Sequence, residues 1–179
     1  MKRIFLTLAT FSNLALLVAF GFGWAIGDPA SRDLAVRKAV NLHLLVALGA
    51  AIVCLLVHAI SLTYFMGTGR WIEETSEAYR LGEAPRQQNI RFKYRVLPGM
   101  VGCILLIIAT GALGVLSDPG ATRGKPFPSV IHFSLACLTL TANIVVSWLQ
   151  YSTISRNGEL VDAIVQEVRA IRQAKGLDN

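Results

Sequence analysis

Two stretches of the chain carry the same chemistry at the same place. "GDPASRDLAVRKAVNLH" runs from Gly27 to His43, and "SDPGATRGKPFPSVIH" runs from Ser117 to His132. Each follows a glycine-studded apolar run, turns at Asp-Pro, carries an arginine, and reaches a histidine as the next apolar run begins. Imidazole is the side chain most used to ligate metals. Two neutral imidazoles converging from opposite sides of a helical core form an axial pair for haem iron. A bare metal ion would need a further donor such as Asp28, Asp33 or Asp118, because zinc takes at least three protein ligands.

The elements that position these histidines are apolar. Of the 179 residues, 54% are hydrophobic and 16% are charged, and the mean hydropathy is +0.54. Four runs are long enough to cross roughly 30 Å of hydrocarbon at about 1.5 Å per residue. They are Phe5–Ile26, Val40–Phe65, Leu97–Leu116 and Ser129–Gln150. The fold class expected is all-α, an integral membrane four-helix up-down bundle forming a single domain over residues 1–179. The first run follows "MKR" but exceeds a signal-peptide core and shows no small-x-small cleavage site, so a retained helix is expected.

Twelve Lys and Arg residues fall on the N-terminus, segment 66–96 and tail 153–179, against five in the other two loops. This excess places both termini in the cytoplasm, with a bacterial inner membrane as the expected location. The net charge of +6 then reflects topology and contact with lipid headgroups, with no nucleic-acid partner implied. Beyond the membrane, helical spacing predicts cytoplasmic helices over about 71–81 and 159–174, forming a small cap. Val161, Ile164, Val168 and Ile171 make an amphipathic seam on the second, expected to pack on the first helix or to dimerise.

The echo continues into the membrane. Gly21 and Gly111 each lie seven residues before the loop aspartate, and Gly23 and Gly114 lie five and four before it. This suggests an internal duplication with a pseudo-twofold axis along the membrane normal. His43 and His132 then sit about one turn into helices 2 and 4, which are diagonal partners in an up-down bundle. Gly21, Gly23, Gly111 and Gly114 remove bulk from helices 1 and 3 at that level, making room for a flat macrocycle. The external bases Arg32, Arg37, Arg123 and Lys125 could pair with its propionates.

The arrangement resembles membrane b-type cytochromes of the cytochrome b kind, in which histidines on the second and fourth helices clamp haem and glycines on the first and third make room. The resemblance implies haem b and one-electron transfer. In that family each ligand helix carries a second histidine about four turns on. Here "HLLVALGAAIVCLLVH" supplies His58, ~22 Å below His43 and turned by about 60°. Helix 4 offers Val146, Ser147 and Trp148 at the matching level, so a second bis-His haem is not encoded.

His58 has three readings. It could serve a quinone or proton-transfer site, act as the sole ligand of a second haem, or sit neutral in a polar clasp with Asn143 and Ser147 that sets helix register. Cys54, Cys103 and Cys137 lie in apolar runs without CxxC spacing and read as packing residues. The four spans hold no acidic residue, which argues against a carrier built on buried carboxylates.

The expected function is a b-type cytochrome-like electron-transfer subunit with one bis-His haem near the outer face. Any enzymatic role would be as part of an oxidoreductase complex, with quinone and a partner redox subunit or a second copy of the chain as partners. The alternative is a haem-free scaffold whose amphipathic tail recruits a cytoplasmic partner, and a small oligomeric transporter is a third.

Overall fold

In the computed structural model the described residues are 1–28, 31, 33–123 and 125–177. They form four α-helices and no strand: α1 Lys2–Trp24, α2 Leu34–Tyr79, α3 Ala84–Ser117 and α4 Ser129–Ala174. All four are long and apolar enough to cross a membrane. They pack in sequence order around one core, and both termini lie at the same end of the bundle.

The helices begin and end for local reasons. Asp33 caps α2, its carboxylate accepting from the Ala35 N–H at 2.9 Å. At the other end Arg80 adopts the left-handed region at φ 57°, the Leu81 N–H returns to the Ser76 carbonyl, and Gly82 follows at φ 77°. Pro85 then enters the first turn of α3, where its missing N–H costs nothing.

The cytoplasmic helices expected over 71–81 and 159–174 are not separate. They are the ends of α2 and α4, each 46 residues long and unbroken through Gly67, Gly69 and Gly158. The segment 84–96, which precedes the third apolar run, is already helical, so Pro98 is interior to α3 and removes one ladder bond there. Glycine at 69 lets α3 come close to α2, since a Cβ there would stand 2.7 Å from Asn89 Oδ1. Asn89 donates to Asn157 Oδ1 at 2.8 Å, and Asn157 donates to Tyr64 and Thr68. Buried amides thus tie α2, α3 and α4 together where they leave the apolar region.

The seam of α4 is used within the chain. Ile164 is buried, as are Ile72 and Ser76 of α2, and Arg172 reaches the Tyr79 hydroxyl at 3.4 Å. The tail therefore packs on the end of α2, as its spacing suggests.

Buried positions recur from one half to the other. Phe5, Ala9 and Ser12 of α1 correspond, 91 residues on, to Val96, Met100 and Cys103 of α3. Ala50, Cys54, Ser61 and Phe65 of α2 correspond, 89 residues on, to Thr139, Asn143, Gln150 and Ile154 of α4. All fourteen are buried. Helix rotation and register are therefore the same in the α1–α2 and α3–α4 hairpins.

Candidate functional site: a histidine pair between diagonal helices

His43 of α2 and His132 of α4 face one another. Their ring centroids are 6.4 Å apart and their planes are inclined by 73°. The histidines lie 89 residues apart, the same offset that relates the buried faces of α2 and α4.

Each ring is held by its neighbouring helix in the same way. Nδ1–H of His43 donates to the Ala19 carbonyl at 3.0 Å, and Nδ1–H of His132 donates to the Thr110 carbonyl at 3.1 Å. A carbonyl can only accept, so Nδ1 carries the proton in both rings and Nε2 keeps its lone pair. Among the described residues neither Nε2 has a hydrogen-bond partner. Fixing the tautomer through Nδ1 is how proteins prepare a histidine to ligate metal through Nε2.

The glycines explain why these carbonyls can be reached. In an α-helix the carbonyl of residue i bonds the N–H of residue i+4, whose side chain also screens it. Gly23 and Gly114 stand four residues after Ala19 and Thr110. A Cβ at Gly23 would lie 2.8 Å from His43 Cε1, and one at Gly114 would lie 3.1 Å from His132 Cε1. These two glycines seat the imidazoles themselves. Around Gly21 and Gly111 a Cβ would meet nothing within 4 Å. The loop aspartates pair Gly21 with Gly111, but the helical register pairs Gly23 with Gly114, sets Gly21 against Ala112, and sets Gly111 against Phe20.

A graded effect follows for alanine at the two seats. Gly23→Ala places its methyl inside the contact limit of His43, so the ring must swing off the Ala19 carbonyl. Gly114→Ala needs a shift of only a few tenths of an ångström. Loss of an outer partner of a metal-ligating histidine typically weakens binding about 10–100-fold. Were haem the ligand of this pair, titration of the purified chain would show a loss of that order for Gly23→Ala and a smaller one for Gly114→Ala.

The remaining residues divide. Arg37 reaches the second loop, with Nη2 3.7 Å from where a Gly120 Cβ would stand, beside Asp118. Arg123 is exposed in that loop with φ 53°, and Arg32 lies outside the described residues. His58 is 1% exposed and fully engaged. Its Nε2–H donates to Asn143 Oδ1 at 3.1 Å, and its Nδ1 accepts from Gln150 Nε2 at 3.2 Å. Asn143 Oδ1 also accepts from the Cys54 thiol, while Asn143 Nδ2 donates to the Thr139 carbonyl.

Ser147, expected beside His58, instead accepts from Asn13 of α1 at 3.1 Å. Gln150 takes its place, a residue that sequence reading set at the edge of the span. Its signal was spacing: Gln150 is seven residues after Asn143, two turns on the same face. With both ring nitrogens bonded, His58 is a register-setting clasp and has no lone pair left for iron.

The 6.4 Å between the ring centroids is close to the spacing that two imidazoles on one iron require. Two metal–imidazole bonds of about 2 Å each, with the inner halves of two rings, span about 6 Å. The set does not fit a bare metal ion. Among the described residues no group of three or more His, Cys, Asp and Glu could hold one, so Asp28, Asp33 and Asp118 do not complete a site with the histidines. No protein-family model, curated protein or solved structure matches this chain.

Proposed function

We propose that the chain is a membrane b-type cytochrome-like electron-transfer subunit carrying one haem b between His43 and His132. One observation carries the reading: two histidines on diagonal helices, each with Nδ1–H tied to a main-chain carbonyl, face one another at 6.4 Å. His43 and His132 would supply both axial nitrogens, and Arg37 and Arg123 would lie at the loop end to meet propionates. Haem bound there supplies reversible one-electron transfer.

The protein's part is orientation and exclusion of water. The Ala19 and Thr110 carbonyls hold the rings in one tautomer and raise their basicity as donors. The apolar helices keep the dielectric low. The excess of basic residues at the extended end supports a cytoplasmic side for that end, with the histidine pair in the outer half of the bilayer. A centre near one face serves exchange with a partner on that side, such as a redox subunit or a quinone in the bilayer.

The test is the visible spectrum of detergent-purified protein expressed with adequate haem. A Soret band that sharpens on dithionite reduction, with a narrow α band and about one haem per chain, is expected. A colourless preparation that takes up no added haem rejects the reading and favours a haem-free scaffold.

A further inference from the structure

The two halves of the bundle match in register except at the extended end, where one of them has an element more. The 91-residue offset sets Lys2, where α1 starts, against Lys93 of α3. Segment 84–92 of α3 precedes that point and has no counterpart among the described residues of α1. Lys2 Nζ lies 5.4 Å from the centroid of the Tyr151 ring, so α1 starts beside α4 at that level. Two turns further along α4 stands Gly158.

In its own half, segment 84–92 packs on a defined face of α2. Asn89 lies against Gly69, where a Cβ would stand 2.7 Å from its Oδ1, and Arg86 Nη2 pairs with Glu73 Oε1 at 2.7 Å. Ile72 and Ser76 are buried on the same face. The 89-residue offset carries Gly69, Ile72, Glu73 and Ser76 onto Gly158, Val161, Asp162 and Val165 of α4. These four again share one helix face. A Cβ at Gly158 would meet nothing within 4 Å, Val161 and Val165 are half-buried, and Asp162 is exposed. So α4 repeats the seat that α2 offers to a helix, with a carboxylate where Arg86 finds its partner, and no described residue of α1 reaches it.

We propose that this face of α4 docks a basic amphipathic helix of a partner protein, continuing the line of α1 and antiparallel to α4. A short polar residue of that helix sits over Gly158, as Asn89 sits over Gly69. A Lys or Arg three residues earlier meets Asp162, as Arg86 meets Glu73. Its apolar side covers Val161 and Val165. The assignment is independent of the haem reading, because the seat lies at the opposite end of the helices from His43 and His132.

The chain itself supplies the probe. A fluorescein-labelled peptide of residues 84–96, "APRQQNIRFKYRV", is titrated with the full chain in detergent and read by anisotropy against empty micelles. Saturable binding is expected. Gly158→Leu fills the seat and should weaken binding about tenfold or more, whereas leucine at Gly67, an exposed glycine off this face, should change nothing. Asp162→Lys, a surface change that leaves packing alone, should weaken it about three- to tenfold. A peptide carrying Arg86→Glu should bind the parent poorly and recover on the Asp162→Lys chain, which fixes the register. Far-ultraviolet helicity checks that each variant is folded. No saturation by about 1 mM peptide overturns the assignment. So does equal binding to the parent and Gly158→Leu chains, or a charge swap that restores nothing. A parent chain that self-associates through this face, and becomes monomeric in Gly158→Leu, overturns the assignment to a separate partner.

Discussion

Alanine at His43 or at His132 is expected to abolish the six-coordinate spectrum, and either change should suffice. The proposed bis-imidazole centre would have two protein ligands, and among the described residues no group of three or more His, Cys, Asp and Glu gathers there. Losing even an outer-shell partner of such a ligand costs about 10–100-fold in affinity, and losing the ligand itself costs more. Haem content should drop by at least about that factor, and any retained haem should show a broadened, high-spin band. Added imidazole should restore the sharp α band in part, since the seat over Gly23 or Gly114 is left free by the truncation. His58→Leu is the control. Its ring nitrogens are committed to Asn143 and Gln150, so the spectrum should persist. A spectrum that survives His132→Ala but not His58→Leu would place the iron elsewhere.

The second large effect concerns folding. Asn143→Leu removes the acceptor for both the His58 Nε2–H and the Cys54 thiol in a site that is 1–2% exposed. A buried donor left unpaired costs about 1–3 kcal/mol, although hydrogen bonds between membrane helices average nearer ~0.6 kcal/mol. A loss of about 2 kcal/mol is expected, or roughly a 5 °C fall in the melting temperature in detergent. His58→Leu should cost less, because Asn143 keeps Cys54 while Gln150 loses its acceptor. The double variant should be less destabilised than the sum of the two, since each removes a partner the other needs. Additive losses would mean that the clasp does not act as a unit.

The hydrophobic runs made the four helices legible, because desolvating a backbone over 20 residues leaves a helix as the local solution. The histidine pair was legible too, since the Asp-Pro loops mark equal depth on two helices. The length of α2 and α4 was not. The helices run on through Gly67, Gly69 and Gly158, and Gly69 serves the approach of Asn89. The glycine roles were half-read. Gly23 and Gly114 seat imidazoles, whereas a Cβ at Gly21 or Gly111 would meet nothing within 4 Å. Counting back from the loop aspartates misses this, because a one-residue offset rotates a helix face by about 100°.

What the chain determines by itself is therefore what must leave water and which polar groups go with it: four apolar helices, a histidine near the start of the second and another near the start of the fourth, and His58 deep between them. What only the tertiary structure decides is which atoms meet. Gln150 and not Ser147 closes the clasp on His58, and Ala19 and Thr110 receive the Nδ1 protons. Burial is a property of each segment, whereas contact depends on the rotation and register of four helices packed at once, and close packing leaves few solutions for those.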